Sequence, residues 1–159
     1  MQQALLLARK AWEQGEVPVG AVVVDEAGQI VAEGYNQTIQ AHDPSAHAEM
    51  LALRQAALRR ANYRLPDLTV YVTLEPCMMC IGALLHARIK RVVFASADPK
   101  TGACGSVLDL ASHPLNHQTI VQSGLLADEA SALLRAFFKE RRQLAKQRKT
   151  QRNLKPDEV

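Results

Sequence analysis

Apolar residues along this chain follow two periods, one typical of helices and one typical of strands. Over Gln2–Gln14 they recur every three or four positions, which predicts an amphipathic helix that Gly15 ends. The β-branched run Val19–Val24 and the segment Gln29–Tyr35 are separated by the turn residues Asp25–Gly28, and this pattern predicts a β-hairpin. The chain therefore begins with one helix and two antiparallel strands.

Strands and helices interleave through the rest of the chain. We expect, in order, a helix at Ala46–Ala61, a strand at Leu68–Leu74, a helix that Pro76 opens and that runs to about His86, a strand at Arg91–Ser96, a short helical turn near Leu108, a strand at Gln118–Gln122 and a long helix from Ala127. This order predicts an α/β fold, a three-layer α/β/α sandwich around a five-stranded mixed sheet. The third and fourth strands should be parallel, because a helix joins them.

The length and composition fit one globular domain. The chain has 159 residues, of which 48% are hydrophobic and 22% charged. We expect a single domain over residues 1–147 and a polar, frayed tail over residues 148–159. Three cysteines, two of them in a C-x-x-C pair, favour reduced thiols, and no apolar run approaches the about 18 residues that a membrane helix needs. These features predict a cytoplasmic protein.

The net charge of +3 hides an uneven distribution of basic residues. Arg135–Arg152 contains eight Lys or Arg residues and one Glu, whereas the rest of the chain is acidic. Charged C-terminal helices are often only solvated, but here the basic residues surround Phe137 and Phe138. Cations combined with aromatic side chains suit the unstacked bases of single-stranded RNA loops. The C-terminal helix is therefore predicted to contact RNA.

Two short motifs supply the ligands of a metal site. Cys77 and Cys80 are three residues apart at the start of a predicted helix, so their thiols project from one face, where the helix dipole favours thiolates. His47 lies at the start of another predicted helix, and zinc prefers thiolate and imidazole ligands. Three protein ligands leave a position for water, and zinc lowers the pKa of that water to about 7. Glu49, two residues after His47, could then take and return a proton.

Each motif by itself has less specific interpretations. A C-x-x-C pair also occurs in redox sites and zinc ribbons, and most His-x-Glu pairs are surface residues. Together, His47–Glu49 and Pro76–Cys80 match the H-x-E and P-C-x-x-C pattern of zinc-dependent nucleobase deaminases. Two alternatives stay open here: a deaminase of free bases or nucleotides, such as guanine or deoxycytidylate, and a structural zinc module that binds RNA without catalysis.

Beyond these motifs, several segments resemble the bacterial tRNA-specific adenosine deaminases. The zinc motifs are common to the whole deaminase superfamily, whereas the other segments and the basic C-terminal helix indicate the tRNA branch. The segments that carry the resemblance, which runs from about Ala4 to the C-terminal helix, are Val17–Val22, His42–Glu49, Asn62–Leu65, Tyr71–Cys77, Arg91–Phe94 and Lys100–Ala103. Ala97, Pro99 and Cys104 depart from the residues expected there.

This resemblance implies a fold, a reaction and a set of site residues. The fold is cytidine deaminase-like, and the reaction is the zinc-dependent conversion of adenosine to inosine at the wobble position of the tRNA-Arg anticodon. The resemblance also implies a homodimer with one Zn²⁺ per subunit, which binds the anticodon stem-loop. The implied roles are metal binding by His47, Cys77 and Cys80, proton transfer by Glu49, adenine binding by Asn36 and the backbone N–H of Ala48, and RNA contacts by Asp98, Lys100, Phe138, Arg141 and Arg142.

Overall fold

In a computed structural model, residues 1–153 are described and form four helices and five strands. They are α1 (Gln2–Glu13), β1 (Gly20–Val24), β2 (Ile30–Tyr35), α2 (Ala48–Arg60), β3 (Thr69–Leu74), α3 (Met78–His86), β4 (Arg91–Ser96), β5 (Ile120–Ser123) and α4 (Ala127–Asn153). Apart from the short helical turn expected near Leu108, the order of elements is the predicted one, and the α/β fold is confirmed. None of the helices within residues 1–153 is long and apolar enough to cross a membrane.

The five strands form one mixed sheet in the order β2-β1-β3-β4-β5. β1 pairs antiparallel with β2 and with β3, whereas β3, β4 and β5 run parallel to one another. The predicted parallel pairing of the third and fourth strands is therefore confirmed. Because β3 and β4 are parallel, their carboxyl ends, Leu74 and Ser96, lie at the same edge of the sheet. Open α/β sheets bind their ligands at such an edge.

Two glycines show that helices cover both faces of the sheet. A Cβ atom at Gly20 would overlap the carbonyl oxygen of Ala4 in α1, and one at Gly34 would overlap that of Ala48 in α2. Gly34 pairs with Ala21, the neighbour of Gly20 in β1, and successive residues of a strand point to opposite faces. α1 and α2 therefore pack on opposite faces, as a three-layer sandwich requires.

The larger hydrophobic core lies between the sheet and the layer formed by α2 and α3. Small residues of α2, such as Ala52 and Ala56, let this helix approach the sheet closely, and larger side chains of α3, such as Ile81 and Leu84, fill the space beside them. α1 and α4 cover the other face and contact each other there. This packing brings the N-termini of α2 and α3 together.

Two helices begin later than the sequence pattern predicts. The predicted starts at Ala46 and Pro76 are wrong by two residues, because α2 and α3 begin after the N-cap residues His47 and Cys77. These N-caps have extended backbones, with ψ values of 153° and 172°. An N-cap residue leaves the helical path, so both side chains lie at the ends of their helices rather than along a helix face.

The segment between β4 and β5 also differs from the prediction. Within the described residues no helical turn forms near Leu108. The N–H groups of Val107 and Leu108 instead donate to the carbonyl of Gly102, at 3.0 and 3.1 Å. These bonds fold the segment back on itself and use the amides that a helical turn would need. β5 begins two residues later than predicted, at Ile120.

The long C-terminal helix reaches further than predicted. α4 continues without interruption to Asn153, so the tail expected over residues 148–159 is helical as far as that residue. Residues 154–159, which hold the rest of the predicted tail, lie outside the described residues. The domain boundary at residue 147 stays a prediction.

Candidate metal centre and active site

Three side chains converge where the N-termini of α2 and α3 meet. His47 is the N-cap of α2, Cys77 is the N-cap of α3, and Cys80 lies in the first turn of α3. The Nδ1 atom of His47 lies 3.7 Å from the Sγ atom of Cys77 and 3.5 Å from that of Cys80. All three ligand atoms lie within 4.8 Å of one another. The structure thus brings together the residues predicted as metal ligands.

This spacing fits a tetrahedral zinc ion. With a Zn–N bond of about 2.05 Å and a Zn–S bond of about 2.3 Å, tetrahedral angles place the nitrogen about 3.6 Å from each sulfur. The observed distances of 3.7 and 3.5 Å bracket that value. Two sulfur atoms and one imidazole nitrogen are donors that zinc prefers, and a set of three leaves a fourth position for water. The residues therefore fit a catalytic zinc site.

Hydrogen bonding within the site shifts the pKa values of both thiols. Hydrogen bonds from Cys80 and from His47 lower the pKa of Cys77 to about 4, although partial burial acts in the opposite direction. The hydrogen bond to Cys77, together with burial, raises the pKa of Cys80. One thiolate is therefore stable at neutral pH without a cation, and a bound cation favours the second.

Glu49 occupies the first turn of α2, two residues after His47. Its residue surface is only 4% exposed, and this burial raises the pKa of the carboxyl group to about 7. A group whose pKa lies near the working pH can both accept and donate a proton. Glu49 lines the same cavity as His47 and Cys77, so its position suits a general acid and base.

Asn36 follows β2 and binds the start of α2. Its Oδ1 atom accepts a hydrogen bond of 2.9 Å from the N–H of Ala48. That N–H belongs to the first turn of α2, where the helix itself provides no acceptor. The amide that we expected to contact adenine is thus engaged by Asn36. The Nδ2 group of Asn36 has no hydrogen-bond partner among residues 1–153, and the residue lines the cavity.

A cavity of about 230 Å³ lies beside the metal ligands. Three of the residues that line it are apolar and the rest are polar. The lining residues are Val17, Val19, Asn36, Thr38, His47, Glu49, Leu74, Glu75, Cys77, Asp98 and Thr101. Thr38 and Thr101 were not predicted as site residues. Hydroxyl residues in loops have no spacing that distinguishes them from ordinary turn residues.

A larger groove of about 720 Å³ adjoins this cavity. The two spaces share four lining residues, Val17, Leu74, Asp98 and Thr101. Four of the five predicted RNA contacts line the groove, namely Asp98, Lys100, Phe138 and Arg142. The cavity at the metal ligands therefore opens directly onto the surface for which RNA binding was predicted.

One face of α4 supplies the basic side of the groove. Arg135, Phe138, Lys139 and Arg142 lie on this face, because they are spaced three, four and seven residues from the first of them. Arg135 and Lys139 were not predicted individually as site residues. The helical period around Phe138 was the signal that would have found them.

The carboxylate of Asp98 is used inside its own loop. Its Oδ1 atom accepts hydrogen bonds from the N–H groups of Lys100 and Thr101, at 2.9 and 3.2 Å, and its Oδ2 atom accepts one of 2.7 Å from the Thr101 hydroxyl. Burial alone would raise the pKa of Asp98, but these hydrogen bonds outweigh it and the pKa is lowered. Asp98 thus remains ionised and fixes the shape of this turn.

Arg141 lies away from the groove that Arg142 lines. Its guanidinium group donates to the carbonyl of Gly15 and lies 5.2 Å from the centre of the Phe137 ring. Phe137 packs edge-on against Trp12 of α1. The structure therefore places Arg141 between α1 and α4, and its contacts hold the two helices together.

Comparison with known proteins agrees with this geometry. Residues 1–96 match the family model of the cytidine and deoxycytidylate deaminase zinc-binding region. The tRNA-specific adenosine deaminase of Haemophilus influenzae is 54% identical over 144 residues, which cover 90% of this chain and 83% of that protein. This chain belongs to the tRNA-specific adenosine deaminase family. Zinc is the cofactor of this family, in agreement with the ligand set.

Solved structures separate the tRNA branch from a related deaminase. A structure from a study of A-to-I editing by tRNA:A34 deaminases at the wobble position of transfer RNA has a TM-score of 0.81 and 42% identity, and covers 84% of this chain and 97% of that chain. A guanine deaminase from Nitrosomonas europaea has a TM-score of 0.73 and 28% identity, and covers 86% of this chain and 81% of that chain. Of these two, the tRNA deaminase is more similar in both sequence and structure.

Proposed function

We propose that this protein converts adenosine to inosine at the wobble position of a tRNA anticodon by hydrolytic deamination. The proposal rests on the continuity between the cavity at the metal ligands and the basic groove along α4. The cavity takes one unstacked base, and the groove takes the nucleotides beside it. A deaminase of free bases needs such a cavity but has no use for the groove.

The residues of the cavity divide the reaction between them. His47, Cys77 and Cys80 hold the zinc, whose chemistry when bound is to make water nucleophilic at neutral pH. Glu49 takes a proton from water and delivers it to the ring nitrogen N1, while the water oxygen bonds to C6. Glu49 then carries the second proton to the amine, the C6–N6 bond breaks and ammonia leaves. Asn36 donates from Nδ2 to the base edge and orients it.

The groove binds the neighbouring nucleotides by charge and by stacking. Arg135, Lys139 and Arg142 supply cations for the phosphates, and Phe138, which is 44% exposed, offers a ring on which a base can stack. We propose the anticodon stem-loop of tRNA-Arg as the substrate. Lys100, in the segment after β4, also lines the groove and extends the cationic surface toward the loop nucleotides.

We also propose a homodimer whose interface lies beside each active site. Met78 and Met79 follow the ligand Cys77 directly and are 60% and 37% exposed. Methionine is enriched at protein interfaces, and a second copy that covers this pair would enclose the metal centre. Light scattering should give twice the mass of one chain, and a monomer would contradict the proposal. The free thiols suit the reducing cytoplasm, which we propose as the location of the protein.

Sequencing of treated tRNA tests the proposed reaction. The protein is incubated with tRNA-Arg transcripts and the wobble position is read for inosine, with Glu49→Gln as the control that should retain zinc and the fold but form no product. Arg142→Ala should reduce activity on tRNA strongly, because it weakens the groove. Turnover of guanine or a cytosine nucleotide without any inosine in tRNA would contradict the proposal. Retained zinc with no turnover of any base would favour a structural module.

A further inference from the structure

Glu75 is a buried carboxylate to which the proposed reaction gives no role. It follows β3 and is 2% exposed. Its Oε1 atom accepts hydrogen bonds from the N–H groups of Cys104 and Ser106, at 2.9 and 3.1 Å. Its Oε2 atom accepts a bond of 3.0 Å from the N–H of Asp98 and another from the Ser106 hydroxyl. Four donors of one loop, residues 97–106, therefore converge on this carboxylate.

The same loop is also fastened to the turn that carries the metal ligand Cys77. Gly102 has no room for a Cβ atom, because the carboxyl group of Glu75 occupies that place. Gly102 forms a backbone bridge with Cys77, and the N–H of Ala103 donates to the carbonyl of Pro76 at 2.9 Å. We call residues 97–106 the substrate loop, since residues 97–101 line the groove and two of them, Asp98 and Thr101, also line the cavity.

The hydrogen bonds of Glu75 determine what it can do. An ionised carboxylate offers about four lone-pair positions, and all four are occupied by the donors described above. The group is therefore a fixed acceptor and has no free position with which to receive a proton from the substrate.

The position of Asp98 links Glu75 to the substrate. The backbone N–H of Asp98 is held by Glu75, while its side chain shapes the turn that contains Lys100 and Thr101. Asp98 and Thr101 line both the cavity and the groove, and Lys100 lines the groove. Glu75 therefore holds the backbone of a residue that lines both the cavity and the groove.

We propose that Glu75 is a positioning residue for substrate recognition, which acts by holding the substrate loop against the metal-ligand turn. The inference rests on the proposed function, because it concerns the binding of tRNA by the same site. It predicts that loss of the carboxylate weakens substrate binding and leaves the proton transfers of Glu49 intact.

Steady-state kinetics of Glu75→Gln test this inference. The amide of glutamine keeps one acceptor oxygen. Its NH₂ group replaces the second oxygen and faces the loop groups that donated hydrogen bonds to that oxygen. The KM for tRNA-Arg should rise about tenfold, whereas kcat should stay within about twofold and zinc content should remain at one per chain. Amide hydrogen exchange should become faster at Asp98, Cys104 and Ser106. A residue that only stabilises the fold would change exchange and thermal stability without raising the KM.

Ser106→Ala provides a second test that leaves residue 75 itself a glutamate. Ser106 is exposed, so its substitution does not endanger folding, and it removes one of the four donors. We expect a smaller rise of the KM in the same direction. Ser112→Ala is the matched control, because that hydroxyl donates to the carbonyl of Asp109 outside the substrate loop and its loss should leave the KM unchanged.

The outcomes separate this inference from the proposed function. A fall of kcat at unchanged KM in Glu75→Gln would overturn the inference, and so would an unchanged KM in both variants. If Glu75→Gln loses zinc or fails to fold, Ser106→Ala alone decides. If the unaltered protein forms no inosine, the proposed function fails and the inference fails with it, whereas an active parent with unchanged variants refutes only the inference.

Discussion

Asn36 has two functional groups with different partners, and substitutions can separate them. Oδ1 accepts a hydrogen bond of 2.9 Å from the N–H of Ala48 at the start of α2, whereas Nδ2 is proposed to bind the base. Asn36→Ala removes both groups. Asn36→Asp keeps an acceptor for Ala48 and removes only the donor.

Thermal stability should distinguish the two variants. In Asn36→Ala the N–H of Ala48, a fully buried residue, loses its partner. An unsatisfied buried donor costs about 1–3 kcal/mol, and loss of an N-terminal helix cap costs a similar amount. For a chain of this length a loss of about 2 kcal/mol lowers the Tm by about 4–8 °C. Asn36→Asp keeps the bond and places a negative charge at the N-terminus of α2, so its Tm should not fall.

The loss of deaminase activity should be similar in Asn36→Ala and Asn36→Asp. Both variants lack Nδ2, and a lost hydrogen bond to the base costs about 1.4 kcal/mol, which is a tenfold fall in kcat/KM. Inosine formation in tRNA and a calorimetric melt measure the two quantities on the same preparations. A parental Tm in Asn36→Ala would refute the capping role, and a parental kcat/KM in Asn36→Asp would refute the binding role.

Three further predictions concern other parts of the molecule. Arg142→Ala should reduce the slope of log Kd for tRNA against log salt concentration by about one, because one phosphate contact is lost. Arg141→Ala should instead lower the Tm and keep the parental slope, and equal slopes for the two variants would contradict these different positions. Gly34→Ala should lower stability by about 3 kcal/mol and the Tm by about 6–12 °C in a circular dichroism melt, since its Cβ atom meets the backbone of Ala48 and Ala52 in α2; an unchanged Tm refutes that close packing. Removal of zinc by a chelator should lower the Tm and abolish inosine formation until zinc is restored; a metal-free protein with full activity contradicts the catalytic zinc site.

Local patterns in the sequence were sufficient to predict the order of elements and the chemical groups of the site. Apolar spacing distinguishes helices from strands, and it did so for all nine elements within residues 1–153. The ligands His47, Cys77 and Cys80 could be found because zinc restricts its donors to few residue types, and because these residues belong to two short motifs, His-x-Glu and Cys-x-x-Cys. Glu49 was found with them, because it lies two residues from His47.

Other features depend on contacts that no local pattern records. The starts of α2 and α3 were misplaced, since the apolar pattern continues through His47 and Cys77 while their extended backbones exclude them from the helices. Arg141 and Arg142 are equivalent in the sequence, but successive helical residues point about 100° apart. Arg141 therefore contacts the end of α1, and Arg142 lines the groove.

The sequence by itself determined that this protein has the groups for zinc-dependent deamination and a basic helix suited to RNA. Residue type and short spacing express both properties directly. Only the tertiary structure decided how these parts come together at a cavity and an adjoining groove. The substrate loop lies beside the metal ligands because Glu75, 23 residues before Asp98, accepts hydrogen bonds from the N–H groups of that loop. The hydrogen-bond donors that reach a buried carboxylate depend on how β3 and β4 lie side by side in the sheet. No periodic pattern in the sequence predicts which donors these are.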